Sequence, residues 1–492
     1  MHHEAMKRLT LFCLLLSLGL GACLPIPQRR LDLQLPPVDY RFSPLTVQTE
    51  YITVPGAQEL HTPERYNQSY YLRYFRAEDT PETVLILVPG ILGGATSFET
   101  VARQLVANTP GLEVWAVDRR ANALEDRSGM VESLEKRDPA PAYDYYLENE
   151  GTAEGFNVLK TADIPFVAYW GLEVHLRDLH EVVLKAKQHA ETVVLGGHSL
   201  GASQVGFYTS FDFGSGEVSP GYSYIDGLLL LDGVLGRTGG LELDLSLPTN
   251  LGIVPTIRKL EAGEATPYFA FGLGPTFQAE REVLALLARF RPDELAPEEF
   301  SHFPATNRAA LGISGDDRYS TITVFGSSLG EAVGGEIGGN LGAFLFGGTI
   351  GATSQSISGV AEGYDYVDWQ RGDPAAERSD IDELVRGWAT RETNRNEWYF
   401  PVRLALEIAQ ADIRLENAPG YIPTIQVTTP TLAVGARRGL VARLDGFEAY
   451  SNARPGSPFS SYILPGLTHL DITQAEENPL VPLFKLWLNG IK

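Results

Sequence analysis

The chain has 492 residues, 44% of them hydrophobic, enough for one large domain with a sizeable insertion or for two domains. Lys and Arg number 39 against 62 Asp and Glu, a formal net charge of -23, which argues against a nucleic-acid or anionic-membrane-surface binder, since phosphate contacts need clustered cations. Both cysteines, Cys13 and Cys23, lie in the first 23 residues, so disulfides, cysteine-ligated metals and a cysteine nucleophile are excluded from the folded body.

Lys7 and Arg8 precede the apolar run Leu9 to Leu20, which ends in Leu20-Gly21-Ala22-Cys23. The run is short for a bilayer span and has the charged start, apolar middle and small-residue end of an export signal. Its last four residues resemble a bacterial lipobox. That resemblance implies residues 1–22 as a cleaved signal peptide, a lipid-modified Cys23 and an extracytoplasmic, membrane-anchored body, at the outer membrane in a Gram-negative cell because Leu24 follows the cysteine. An ordinary cleaved signal and an N-terminal membrane helix are the alternatives. Residues 23–45 are proline-rich and read as a tether that holds the body off the membrane.

Tyr51 to Val54 and Ser69 to Arg76 are predicted edge strands. Thr83 to Val88, TVLILV, is a continuous apolar run, as expected of a parallel strand buried on both faces. It enters the glycine-rich loop Pro89-Gly90-Ile91-Leu92-Gly93-Gly94, and a helix is predicted from Ser97 to Ala107. Glu113 to Val117 is the next strand, closed by Asp118-Arg119-Arg120-Ala121-Asn122. Residues 123–165, polar and broken by Pro139, Pro141 and Gly155, read as an excursion over the top of the sheet. Val167 to Ala190 reads as a helix, and its His175, His180 and His189 as surface or core histidines without the carboxylate spacing of a metal site.

The stretch ETVVLGGHSLGASQVGFYTS, Glu191 to Ser210, runs from a short β-branched strand through a turn into a helix, and Ser199 falls on the turn. Within Gly197-His198-Ser199-Leu200-Gly201 the two glycines have a steric task. A tight elbow forces the serine into a strained conformation and brings its neighbours against adjacent chain. The strain lifts the hydroxyl clear and aims the Leu200 amide, at the positive end of the helix, toward an oxyanion formed on a carbonyl that Ser199 attacks.

GHSLG after VVLG resembles the nucleophile elbow of the α/β-hydrolase superfamily, particularly its lipases and esterases. The resemblance implies an α/β-hydrolase fold, a mostly parallel sheet flanked by helices, with the triad in chain order serine, acid, histidine. It implies no metal or organic cofactor. By position Pro89 replaces the family's loop histidine and Ile91 donates the second oxyanion amide. Asp118 is read as a buried structural carboxylate paired with an arginine. Many family members carry the acid in a G-x-x-D-x-x-V-P loop; here that loop, Gly435 to Ala442 after the strand Pro430 to Val434, has Arg438 in its place. Arginine cannot accept the imidazole N–H. The carboxylate is therefore expected from the end of the preceding strand, Tyr224 to Leu231, where Asp232 stands, with Asp445 in reserve.

Residues 233–421 have no counterpart in a minimal hydrolase sheet and read as a cap or lid insertion between the sixth and seventh strands, dividing the core into 46–232 and 422–492. Within it, Gln278 to Phe290 and Glu397 to Leu415 have helical spacing. Val324 to Gly359, dominated by Gly, Ala, Ser and Leu, reads as a mobile wall of an apolar acyl pocket or as a closely packed static hairpin, and not as a membrane span. After the last strand, Tyr462 to Leu464, His469 has the placement of the family's catalytic histidine, and Asp471 is too near in sequence to orient it. A helix from Leu480 to Leu488 closes the chain.

The expected activity is that of a serine carboxylic-ester hydrolase of lipase or carboxylesterase type, acting on a hydrophobic ester through Ser199, Asp232 and His469. An acyltransferase using the same acyl-enzyme, and a lipid-anchored binding protein without turnover, are the alternatives. No nucleic-acid partner is expected.

Overall fold

The run TVLILV is buried along its whole length, and its side chains alternate between two apolar layers: Val84, Ile86 and Val88 feed one, Leu85 and Leu87 the other. A strand buried on both faces needs cover on both. The computed structural model describes residues 35–41, 46–233, 255–270, 272–319, 326–338, 355–373, 376–388, 390–411 and 420–491. The export run, Cys23 and most of the tether lie outside these residues.

Eight strands form one sheet: β1 (Gln48–Pro55), β2 (Gln68–Phe75), β3 (Thr83–Val88), β4 (Leu112–Asp118), β5 (Thr192–His198), β6 (Gly227–Leu231), β7 (Thr431–Arg438) and β8 (Phe459–Thr468). Their order is β1-β2-β4-β3-β5-β6-β7-β8. Pairings of β2 with β1 and β4 are antiparallel and all others parallel. Helices α1 (Glu99–Asn108) and Leu480–Ile491 cover one face, α2 (Leu172–His189) and α3 (Leu200–Tyr208) the other. Each buried Leu, Ile or Val contributes roughly 1.5–3 kcal/mol.

The observed α2 begins at Leu172, because Pro165–Tyr169 forms a separate turn and Gly171 supplies an extended cap. The Leu172 amide donates to Glu407 Oε2 at 2.6 Å, an anion at the positive helix end. The strand expected from Tyr224 starts at Gly227, since Gly221–Tyr224 is a turn. Residues 35–41, expected as free tether, lie against the body: Tyr40 Oη donates to the Asn478 carbonyl at 2.9 Å and the Asp39 amide to Asn108 Oδ1 at 2.7 Å.

The chain leaves the sheet after Leu231 and rejoins it at Thr431. Between them lie helices, including α4 (Pro275–Phe290) and α5 (Ile381–Trp388), and two two-stranded sheets. In the small-residue segment Gly335–Gly338 pairs antiparallel with Ser356–Val360; residues 339–354 fall outside the described set. The helix expected over Glu397–Leu415 is Val402–Gln410 in its described part. Its upstream residues are instead drawn along the β3 loop, where the Glu397 amide donates to the Leu92 carbonyl at 2.9 Å. The excursion after β4 packs with the insertion: Met130, Tyr146 and Phe156 share an apolar cluster with Val283, Leu286 and Trp398. Among the described residues no helix is long and apolar enough to cross a membrane.

Candidate active site

The carboxyl ends of β3, β5, β6 and β7 line up, with Val88 beside Gly197, His198 beside Leu231, and Leu231 beside Val434. In open α/β sheets this edge is where ligands bind. Ser199 sits on it at φ 58, ψ -122, a conformation that costs a non-glycine residue about 1–3 kcal/mol. Close packing holds it there. A Cβ on Gly197 would stand 2.2 Å from the Gly201 carbonyl oxygen, and one on Gly201 would stand 2.1 Å from that of Val88. The Ser199 amide donates to the Leu231 carbonyl at 2.9 Å, and Leu200 opens α3 with an amide that precedes the intrahelical ladder. Leu92 and Asp232, also at this edge, have positive φ as well.

Asp232 follows β6 and is fully buried. Its Oδ2 lies 2.6 Å from His469 Nδ1 and accepts from the Leu440 amide at 2.9 Å; its Oδ1 accepts from the amides of Ala436 and Val441 at 3.0 and 2.9 Å. The loop where the family pattern would place an acid thus supplies backbone donors to one. Charge-assisted bonds of this kind contribute about 1.5–3 kcal/mol each and offset the desolvation of the carboxylate. A carboxylate accepts from Nδ1–H, so that nitrogen carries the proton and Nε2 is left as the acceptor. The hydrogen bonds of the described residues include none between Ser199 Oγ and the imidazole. In unliganded sites such bonds are often long and tighten with substrate. The reserve acid stands apart: Asp445 is exposed and pairs with Arg443 at 2.9 Å. Arg438 pairs with Asp317 of the insertion.

The loop after β3 lies against the serine, for a Cβ on Gly90 would stand 2.9 Å from Ser199 Cβ and 3.3 Å from its Oγ. Arg119 grips this loop from behind. Its guanidinium donates to the carbonyls of Pro89, Gly90 and Gly93 at 2.5, 3.2 and 3.3 Å, and pairs with buried Glu397 at 2.9 Å. Across a trans peptide the N–H opposes the C=O, so holding the Gly90 carbonyl turns the Ile91 amide away from Arg119. Among the described residues Asp118 has no arginine within ion-pairing distance. Asp118 instead accepts from the Ala95 amide at 2.6 Å, from Tyr51 Oη at 3.0 Å and from Thr393 Oγ1. The arginines beside it are engaged elsewhere, Arg120 with Asp178 at 2.5 Å.

Two contributors were not read from the sequence. His198 Nε2 donates to the His469 carbonyl at 2.9 Å, and the two rings lie 4.4 Å apart. Burial, then the neighbouring His469, hold its pKa well below the ordinary histidine value, so it is neutral. Asp471 does not touch the imidazole; it accepts from the Thr468 amide at 2.9 Å, Ser328 Oγ at 2.6 Å and Ser379 Oγ at 2.7 Å, tying the His469 turn to the insertion. The position of His198 inside the elbow motif was the available signal; the partners of Asp471 had none. His175 and His180 are core histidines, bonded to the Gly171 carbonyl at 2.7 Å and to Tyr208 Oη at 2.8 Å. Among the described residues no cluster of three or more His, Asp or Glu could hold a metal.

No family model matches the chain, and no curated protein matches it. Among solved structures it is similar to a presumed lipase from Sulfolobus solfataricus, at 16% identity over 91% of this chain and 95% of that one, TM-score 0.48. It is also similar to an epoxide hydrolase from an endophytic Streptomyces, at 15% identity over 90% and 96% of the two chains, TM-score 0.41. A monoglyceride lipase variant from Saccharomyces cerevisiae is similar at 10% identity over 92% and 99%, TM-score 0.37. With its mostly parallel sheet flanked by helices and a strand-to-helix elbow at the carboxyl edge, the chain has the α/β-hydrolase fold.

Proposed function

We propose that this protein is a serine carboxylic-ester hydrolase of lipase or carboxylesterase type. The observation that carries the reading is the 2.6 Å contact between His469 and fully buried Asp232, one strand from a serine held at positive φ before a helix. Ser199 Oγ attacks the ester carbonyl while His469 Nε2 takes its proton, and the proton then goes to the departing alcohol as the C–O bond breaks. Water, deprotonated by the same nitrogen, releases the acid and restores the serine. Asp232 holds the tautomer and stabilises the imidazolium. The amides of Ile91 and Leu200 bind the oxyanion, each worth about 3 kcal/mol of barrier. Ser199→Ala should abolish p-nitrophenyl butyrate hydrolysis; unchanged turnover would overturn the reading.

The lipobox resemblance supports a body tethered outside the cytoplasm through Cys23. Palmitate labelling and membrane fractionation of the full chain, both lost in Cys23→Ala, test it. A soluble, unlabelled parent protein would contradict it.

A further inference from the structure

We infer that Arg281 and Arg395, both packed at Trp388, form an anion-binding subsite, so that the ester carries a negatively charged oxyanionic group, carboxylate or phosphate, on the part facing the insertion. The inference rests on the reading that Ser199 opens an ester.

Both guanidinium groups lie over Trp388, Arg281 with its Cζ 5.3 Å and Arg395 with its Cζ 5.5 Å from the ring centroid. Trp388 is 3% exposed, and its indole Nε1–H is buried without an acceptor. Arg395 is 8% exposed. Among the described residues neither arginine has a carboxylate within ion-pairing distance, although the chain holds 62 acidic residues against 39 basic ones. Burial and the facing Arg281 push Arg395 down to about 9, and burial pushes Arg281 down to about 10. Like charges held together away from water are unfavourable until an anion joins them. Two guanidinium groups without a carboxylate partner, beside an indole N–H without an acceptor, are the complement of a carboxylate or phosphate, which arginine grips with two parallel N–H bonds.

The subsite borders the catalytic edge. The Arg395 amide donates to the Trp388 carbonyl at 3.0 Å, and its own carbonyl accepts from the Gly94 amide at 2.7 Å, fixing it along the loop that covers Ser199. Its charge also acts on His198, the residue before the serine. On the other side a Cβ at Gly315 would stand 3.9 Å from an Arg281 Nη and 3.6 Å from Leu329, which follows the Ser328 bonded to Asp471 beside His469.

The test compares matched esters. Mono-p-nitrophenyl glutarate against p-nitrophenyl valerate places the charge on the acyl side; 4-carboxyphenyl valerate against its methyl ester places it on the alcohol side. The anionic member of at least one pair should be preferred about 10- to 100-fold in kcat/KM, the usual worth of a charge-assisted contact. Arg395→Gln and Arg281→Gln should each reduce that ratio about tenfold or more, and the Lys variants should recover part of it. Inorganic phosphate should inhibit the wild-type enzyme competitively, a readout that needs no variant to fold. Neutral esters preferred in both pairs, a ratio untouched by either folded Gln variant, or indifference to phosphate while p-nitrophenyl valerate is still cleaved would overturn the subsite. Failure to cleave any of the four esters would instead strike the hydrolase reading.

Discussion

Asp232 and Arg395 are both buried charges at the site, yet they are held in opposite ways. Asp232 is met by three backbone amides and an imidazole, all delivered by strand ends that the sheet register brings together. Arg395 comes from the insertion, where its neighbours are a tryptophan ring and a second arginine. The sheet edge is a finished charge arrangement, set before any ligand arrives, as catalysis by oriented dipoles requires. The insertion is an unfinished one, completed by what it binds. The edge should therefore govern rate for every substrate, and the insertion should govern which substrate.

The sharpest separation comes from the two acids the sequence left in competition. Asp232→Asn keeps the side chain's shape but cannot hold the same tautomer, and should lower kcat about 10⁴-fold. Asp445→Asn, at an exposed ion pair, should leave esterase kinetics unchanged. Equal losses in the two would collapse the distinction. Next in size is Arg119→Lys. A single ammonium cannot grip three carbonyls at once, so kcat should fall about 10²-fold, as when one oxyanion donor is misplaced, for neutral and anionic esters alike. A loss confined to anionic esters would move Arg119 into the binding subsite. Asp471→Asn, which weakens the hold of the insertion on the His469 turn, should cost roughly tenfold in kcat and about 1–3 kcal/mol of stability in a denaturant titration. Unaltered kcat with lowered stability would leave it a structural carboxylate.

The smallest effect lies inside the insertion. Glu282 is fully buried, 3.8 Å from Arg127, and burial pushes its pKa from 4.5 to about 7; neighbouring Glu125 is raised as well, by burial and by Glu282. Between pH 4.5 and about 7 the unfolded chain has released a proton that the folded protein retains, so stability falls as pH rises through that window. The slope is on the order of 1 kcal/mol per pH unit. Glu282→Gln keeps an acceptor for Asn394 and Trp398 and should flatten the slope. Thermal unfolding from pH 4.5 to 7.5 reads this directly, and an unflattened slope would assign the titration elsewhere.

The central strands were legible because β3, β5 and β6 are short apolar runs followed closely by glycine, and GHSLG marks its own elbow. The contact between Asp232 and His469 was legible by elimination, since Arg438 occupies the alternative place. The insertion's contribution was not. The bonds from Asp471 to Ser328 and Ser379 span 143 and 92 positions, and no local pattern announces a contact that tertiary packing alone creates. Asp118 shows the same limit: the adjacent Arg119 and Arg120 suggested a partner, but Arg119 is needed by the loop and Arg120 by Asp178. The helix expected from Glu397 failed at its start because Asn396 and Glu397 are claimed by the β3 loop.

The proposed ester hydrolysis requires Ser199 to be a nucleophile activated by His469. Treating the full-length protein with a fluorophosphonate and mapping the adduct by peptide mass tests this directly. One adduct is expected, on Ser199, forming at least about 10³-fold more slowly in His469→Ala. An active enzyme that remains unlabelled, or labels at another residue, would contradict it.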